Sequence, residues 1–293
     1  MESKACMPDS MLLNVSRPGR YTGGEWNSVE KGWDSVEIHF ALAYPDAYEI
    51  GMSNMGIAIL YDLLNHKDEA LAERVYTPWP DMAAAMREGN IPLFSLESKH
   101  PLRSFDIIGF SLGYELGYTN MLNMLDLAEI PVYAAERDGS HPLIIAGGSC
   151  TLNPEPMADF FDLFVVGEGE EVIQELLDIF RDWKRSGSGR KNELLERSAQ
   201  IRGIYVPSLY RVEYEDDGRF RAVIPQTPEA PPAVARRIMP ELPPPVTRFV
   251  VPSIEVTHDR GAVEIQRGCT RGCRFCQASI AYRPVRERPV EEV

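Results

Sequence analysis

A chain of 293 residues, 44% hydrophobic and 9% aromatic, is long enough for about two domains with a real apolar core. Its 30 basic and 44 acidic residues leave a formal charge of −14, which excludes a general nucleic-acid-binding surface. No apolar run reaches the roughly 18 residues of a membrane span, and the N-terminus lacks the apolar stretch and cleavage site of a secretory signal; the expected location is the cytoplasm.

Residues 1–35 read as an N-terminal extension. After it, VEIHFALAY (36–44) predicts an apolar strand, and MSNMGIAILYDLLN a helix with Met55, Ile59 and Leu63 on one face. The alternation then repeats. ERVYTPWP is a predicted strand, DMAAAMREG a helix closed by Gly89, and IPLFSLE another extended piece. FDIIGFSL is a strongly apolar strand followed by the helix YTNMLNMLDLAEI, and PLIIAGG and FDLFVVGEGE are two more short strands. The last leads into EEVIQELLDIFRDWKR, a helix with acids at its start and bases at its end, as the helix dipole prefers.

Strands apolar throughout, alternating with amphipathic helices, predict an α/β domain over residues 36–185, with a doubly wound parallel sheet covered on both faces. Such sheets bind ligands beyond the carboxyl ends of their strands. That places the candidate segments at PDAYEIGMSN, SLGYELGY, GGSCTLNPE and GEGEE. Residues 186–250 hold the polar break KRSGSGRKN, a short helix (ELLERSAQI), a hairpin turning at Asp217-Gly218 and a proline-rich stretch expected to be an extended linker. In 251–293, GAVEIQRG predicts one more strand, with Cys269 just past its end. There is no internal repeat.

Three of the five cysteines, Cys269, Cys273 and Cys276, lie in GCTRGCRFC, residues 268–276. An odd, clustered set does not make a secreted disulfide framework; clustered reduced thiols point to a metal. Ligand softness narrows the metal to zinc, copper(I) or iron–sulfur. Structural zinc needs four closed ligands, and the fourth would come from His258, Cys150 or Cys6. A 4Fe–4S cluster on three thiolates leaves one iron open to an outside ligand. From Arg260 to Arg288, seven arginines stand against Glu264 and Glu287, a patch suited to an anionic cofactor or substrate, or else a solvated loop.

C-x-x-x-C-x-x-C after a strand, with Phe275 before the third cysteine, closely resembles the signature of radical S-adenosylmethionine enzymes. RPGRYTGGEWNS, YPDAYEIGMSNMG, ERVYTPWPDM, PLFSLES, AGGSCTLNPEPMADFFD and VVGEGEE further resemble an uncharacterised subfamily of cobalamin-binding radical S-adenosylmethionine proteins, over roughly residues 17–283. The resemblance implies that Cys269, Cys273 and Cys276 each bind one iron of a 4Fe–4S cluster, and that S-adenosylmethionine takes the fourth iron. One electron would then cleave the sulfonium to a 5′-deoxyadenosyl radical, drawn from a donor such as flavodoxin or ferredoxin. It also implies cobalamin, possible methyl transfer, and cofactor contacts at Asp46, Tyr48, Gly51, Ser111, Gly147, Gly148 and Phe275. Tyr48 departs from the family's loop histidine; a neutral phenol is a weak cobalt ligand, so bound cobalamin would be base-off. The family's second domain is a partial TIM barrel whose βαβ units each need roughly 30 residues. With 17 residues after Cys276, the expectation is the front part of a longer enzyme, inactive alone, poorly packed after about Pro240.

The same residues carry plainer readings. Asp46 caps a helix, Ser111 closes a strand, and the glycine pair only turns. The acids at Gly167-Glu168-Gly169-Glu170 favour a helix N-terminus and argue against phosphate. Trp26 and Trp79 stack on a ligand ring or, more commonly, pack in a core. Cys150 is expected to be a buried, inert thiol, and Cys6 is assigned no role. The competing function is a cobalamin- or nucleotide-binding module with structural zinc.

Overall fold

The computed structural model describes residues 9–187 and 190–293. Cys6 and two residues of the polar break, Ser188 and Gly189, lie outside the described residues. One six-stranded sheet forms the centre. Strands β1 (Ile38–Tyr44), β2 (Ala70–Tyr76), β3 (Ile107–Ser111), β4 (Leu143–Gly147) and β5 (Leu163–Val165) run parallel, and β6 (Ile204–Tyr205) joins β5 antiparallel. Their order is β2-β1-β3-β4-β5-β6, so the winding reverses between β1 and β3.

The strands are apolar because both faces are covered. Ile38, Phe40, Leu42 and Tyr44 enter one apolar cluster with α1 (Met55–Asn65). Alternate residues Ala41 and Ala43 enter another, with α2 (Pro80–Gly89) and α3 (Tyr118–Leu127). The long helix α4 (Gly169–Ser186) and α5 (Lys191–Ser198) complete the first face through Val172, Leu176, Phe180 and Leu194. The predicted doubly wound parallel sheet is present, apart from its antiparallel edge.

Several boundaries differ from the sequence reading. The strand expected from Glu73 begins at Ala70 and ends at Tyr76, ahead of Pro78 and Pro80, which have no N–H for a ladder. Helix α2 is closed by Asn90 at φ 50°, not by Gly89, its last helical residue. IPLFSLE forms no strand; Leu96 N–H bonds to Arg74 O at 2.9 Å and covers the outer edge of β2.

The hairpin of β7 (Tyr210–Tyr214) and β8 (Phe220–Pro225) forms as predicted, with Gly218 at φ 81°. The proline-rich stretch is not a free linker. Arg237 N–H donates to Val166 O (2.9 Å), and Glu168 N–H donates to Arg237 O (3.1 Å). GAVEIQRG supplies only β9 (Gln266–Arg267), paired antiparallel with β10 (Arg286–Glu287) rather than set in a parallel barrel. The partner is local: the chain turns back through a short helical turn, α6 (Ala278–Ala281), and closes a ribbon around the cysteine loop.

Candidate functional site

The cysteine loop leaves β9 through Gly268, at φ 98°, where a Cβ would lie 2.4 Å from Tyr282 O and 2.6 Å from Pro284 O. Only glycine lets the strand exit lie against that backbone. Gly272, at φ 68°, turns the loop between Cys269 and Cys273. Arg271 N–H donates to Cys269 Sγ at 3.5 Å, and Cys276 N–H donates to Cys273 O at 3.1 Å. All three thiols are free; Cys273 is exposed and the other two are half-buried. Phe275 is 93% exposed, presented outward instead of packed.

Three soft thiolates on an exposed loop are the right donor set for an iron–sulfur cluster with one open iron. Among the described residues, no three potential ligands are yet gathered about one point. Neither zinc alternative within reach of description joins them. His258 sits beside Arg260 with its N–H on Ser53 Oγ, and Cys150 is buried in the α/β domain.

The ribbon is held to the sheet domain by buried ion pairs. Arg267, two residues before Cys269, meets Glu264 (2.9 Å) and Glu170 (2.7 Å). Arg286 meets Glu168 at 2.6 Å and Met239 O at 2.7 Å. Arg288 bonds Glu264 O and Glu292, each at 2.9 Å. The Arg286 and Glu168 side chains are each 8% exposed and Arg288 is 1% exposed, whereas Glu292 stands at 48%. Burial raises the Glu168 carboxyl, but the Arg286 hydrogen bond, the Met239 amide and the charges of Arg267 and Arg286 outweigh it, holding it below the usual carboxylate range. Burial works against the Arg267 cation, yet Glu264 and Glu170 hold its proton still more firmly than usual. The GEGEE acids therefore do more than favour a helix terminus; their partners lie about a hundred residues away and carry no local signal. The region past Pro240 is also better packed than expected at this junction.

At the carboxyl ends of β1 and β3 the other candidates separate. Asp46 accepts Ala47 N–H at 2.7 Å and the Tyr114 hydroxyl. It does not cap the helix; that role falls to Asn54, whose Oδ1 accepts from Ile57 N–H at 3.0 Å. Gly51 packs on the Tyr76 ring, which a Cβ would meet at 2.2 Å. Ser111 and Gly147 end β3 and β4. Gly148, at φ 102°, lies where a Cβ would stand 2.5 Å from Leu112 O, so the pair makes a close turn.

Tyr48 is 1% exposed and donates its hydroxyl to Glu25 Oε1 at 3.0 Å, in a network where Arg74 joins Glu25 (3.0 Å) and Glu97 (2.7 Å). Burial, with the Glu25 charge, pushes its phenol well above the ordinary value. The cavity beside it, lined by Arg20, Tyr48 and Trp79, is about 20 Å³, far below the roughly 300 Å³ of even a small ligand site. These residues do not fit a corrin: the phenol is already engaged and there is no space at its side. Trp79 is 48% exposed with the Arg20 guanidinium 4.7 Å above its ring, and Trp26 is 80% exposed, so neither is the core residue expected. Cys150 is 9% exposed, and burial pushes its thiol up, as an inert thiol requires.

The family profile of radical SAM proteins, N-terminal region, matches residues 56–207, from α1 to just past β6. The chain belongs to this family. The match ends before the cysteine loop, so membership rests on the α/β domain independently of the C-x-x-x-C-x-x-C motif. The chain is also 24% identical over 261 residues to an uncharacterised protein of Methanocaldococcus jannaschii, covering 86% of this chain. It spans 44% of that relative's length. Among the described residues no helix is long and apolar enough to cross a membrane.

Proposed function

We propose that this chain serves a radical S-adenosylmethionine enzyme, in which Cys269, Cys273 and Cys276 hold a 4Fe–4S cluster whose remaining iron takes S-adenosylmethionine. The observation that carries the reading is the three-thiol loop at the family spacing, borne on a ribbon ion-paired to a domain of the radical SAM N-terminal family. When bound, the cluster supplies one electron to the sulfonium, delivered in turn by a donor of the flavodoxin or ferredoxin type.

The chain's own residues bind and orient. Arg271 directs its N–H at the Cys269 sulfur, and the exposed Arg271 and Arg274 side chains bring positive charge to the loop. Radical chemistry needs a cavity that excludes water, and this exposed loop has none of its own. Turnover by these 293 residues alone is therefore expected to be negligible. Cobalamin is left out of the reading, since Tyr48 and its surroundings offer cobalt neither a ligand nor room.

Anaerobic reconstitution tests the assignment. About four irons and four sulfides per chain are expected, with a broad absorption near roughly 400 nm that Cys269→Ala, Cys273→Ala and Cys276→Ala each abolish. One zinc per chain with no sulfide, or undiminished iron in Cys276→Ala, would overturn it.

A further inference from the structure

A candidate site for a second ligand lies at the opposite end of the sheet from the strands' carboxyl ends, by the amino ends of β3 and β4. A cavity of about 440 Å³ opens there between the β-strand starts, the end of α4 and the start of α5, a size within the roughly 300–1,000 Å³ of small-molecule sites. Its walls include three aromatic rings, Phe105, Phe180 and Trp183, with Phe180 and Trp183 centroids 5.5 Å apart. Arg103, Lys184 and Lys191 also line it, against a single carboxylate, Asp106.

That carboxylate is already engaged on both oxygens. Oδ2 accepts from His39 N–H at 2.8 Å, and Oδ1 meets Lys184 Nζ at 2.6 Å. Asp106 therefore repels an incoming anion little. Arg103 is tied to Glu129, but both side chains are about half-exposed, where such pairs are weak and exchange readily.

Lys191 is different. Its side chain is 12% exposed, and its one ion pair, 2.9 Å to Asp162 Oδ1, is shared with Arg137 at 3.4 Å. The geometry gives the buried Lys191 ammonium no directed hydrogen bond. Asp162's other oxygen accepts Ile144 N–H at 2.7 Å, so one carboxylate serves two buried cations. Burial lowers the proton affinity of both Lys191 and Arg137 in spite of Asp162.

We propose that this cavity binds a small aromatic anion, a flat ring bearing a phosphate or carboxylate. The ring lies against Trp183 and Phe180, and the anionic group is held by Lys184 and Arg103 with the excess charge of Lys191 behind it. The site is remote from the carboxyl-end crevice and owes nothing to the cysteine loop. Its occupancy is independent of the radical reading.

Phenyl phosphate is the probe, titrated into the whole chain by calorimetry and by tryptophan emission. Saturable binding in the micromolar-to-millimolar range is expected, with phenol and inorganic phosphate each at least tenfold weaker. Lys184→Gln and Lys191→Gln should each weaken it at least fivefold with unchanged circular dichroism. Arg185→Gln, one residue along α4 and paired instead with Glu37, should leave it unchanged. Trp183→Phe should remove most of the emission response. No saturable binding up to about 10 mM (a free energy weaker than about −3 kcal/mol) would overturn the proposal. So would equal affinity in Lys184→Gln, which decides alone should Lys191→Gln fail to fold.

Discussion

Replacing Glu168 by alanine should loosen the cysteine ribbon without unfolding the sheet domain. The carboxylate accepts from Arg286 and from Met239 N–H, each at 2.6 Å, and both charged side chains are 8% exposed. Removing one partner of a buried pair costs about 3–5 kcal/mol, because the other charge is left uncompensated. Arg286 keeps Met239 O at 2.7 Å and Pro284 O at 3.1 Å, which places the cost at the lower end, about 3 kcal/mol. At about 1.4 kcal/mol per tenfold, local opening rises roughly a hundredfold. Hydrogen exchange at Arg288 N–H, bonded to Ile265 O at 2.9 Å, should report this, while amides of β1 exchange as before. Glu168→Gln keeps an acceptor and should show a smaller effect. The sign with pH follows from the depressed carboxyl: the contribution is fully present above the unfolded value of about 4.3 and disappears as pH falls through the lower folded value. Exchange at Arg288 within threefold of the parent in Glu168→Ala would refute the reasoning.

Arg74→Met removes the cation between Glu25 and Glu97, whose side chains are 1% and 2% exposed; a loss of about 3–5 kcal/mol is expected, read as a lower urea midpoint at unchanged slope. Gly148→Ala forces a Cβ to within 2.5 Å of Leu112 O at φ 102° and should cost at least the roughly 1–3 kcal/mol of a strained backbone site, measured the same way.

The architecture of the sheet domain is legible in the sequence. Strands such as IHFALAY, with His39 its one polar residue, and LIIAG are apolar along both faces because both faces of a parallel sheet are covered, and that pattern is local. Asp217-Gly218 marks a hairpin for an equally local reason. Tertiary structure decided the rest. The predicted strand begins at Glu73 and so misses Ala70–Ala72 of β2; Glu73 and Arg74 are buried in it only because Ser98, Glu97 and Glu25 arrive from other segments to bond them. Strand β6, two residues long, is too short to show a period, and the proline-rich stretch docks through backbone bonds that composition does not encode. Above all, the GEGEE acids meet Arg267 and Arg286 across about a hundred residues of chain. Periodicity and spacing report what neighbours in sequence must do, whereas burying a charge depends on a partner that only the folded chain brings within bonding distance.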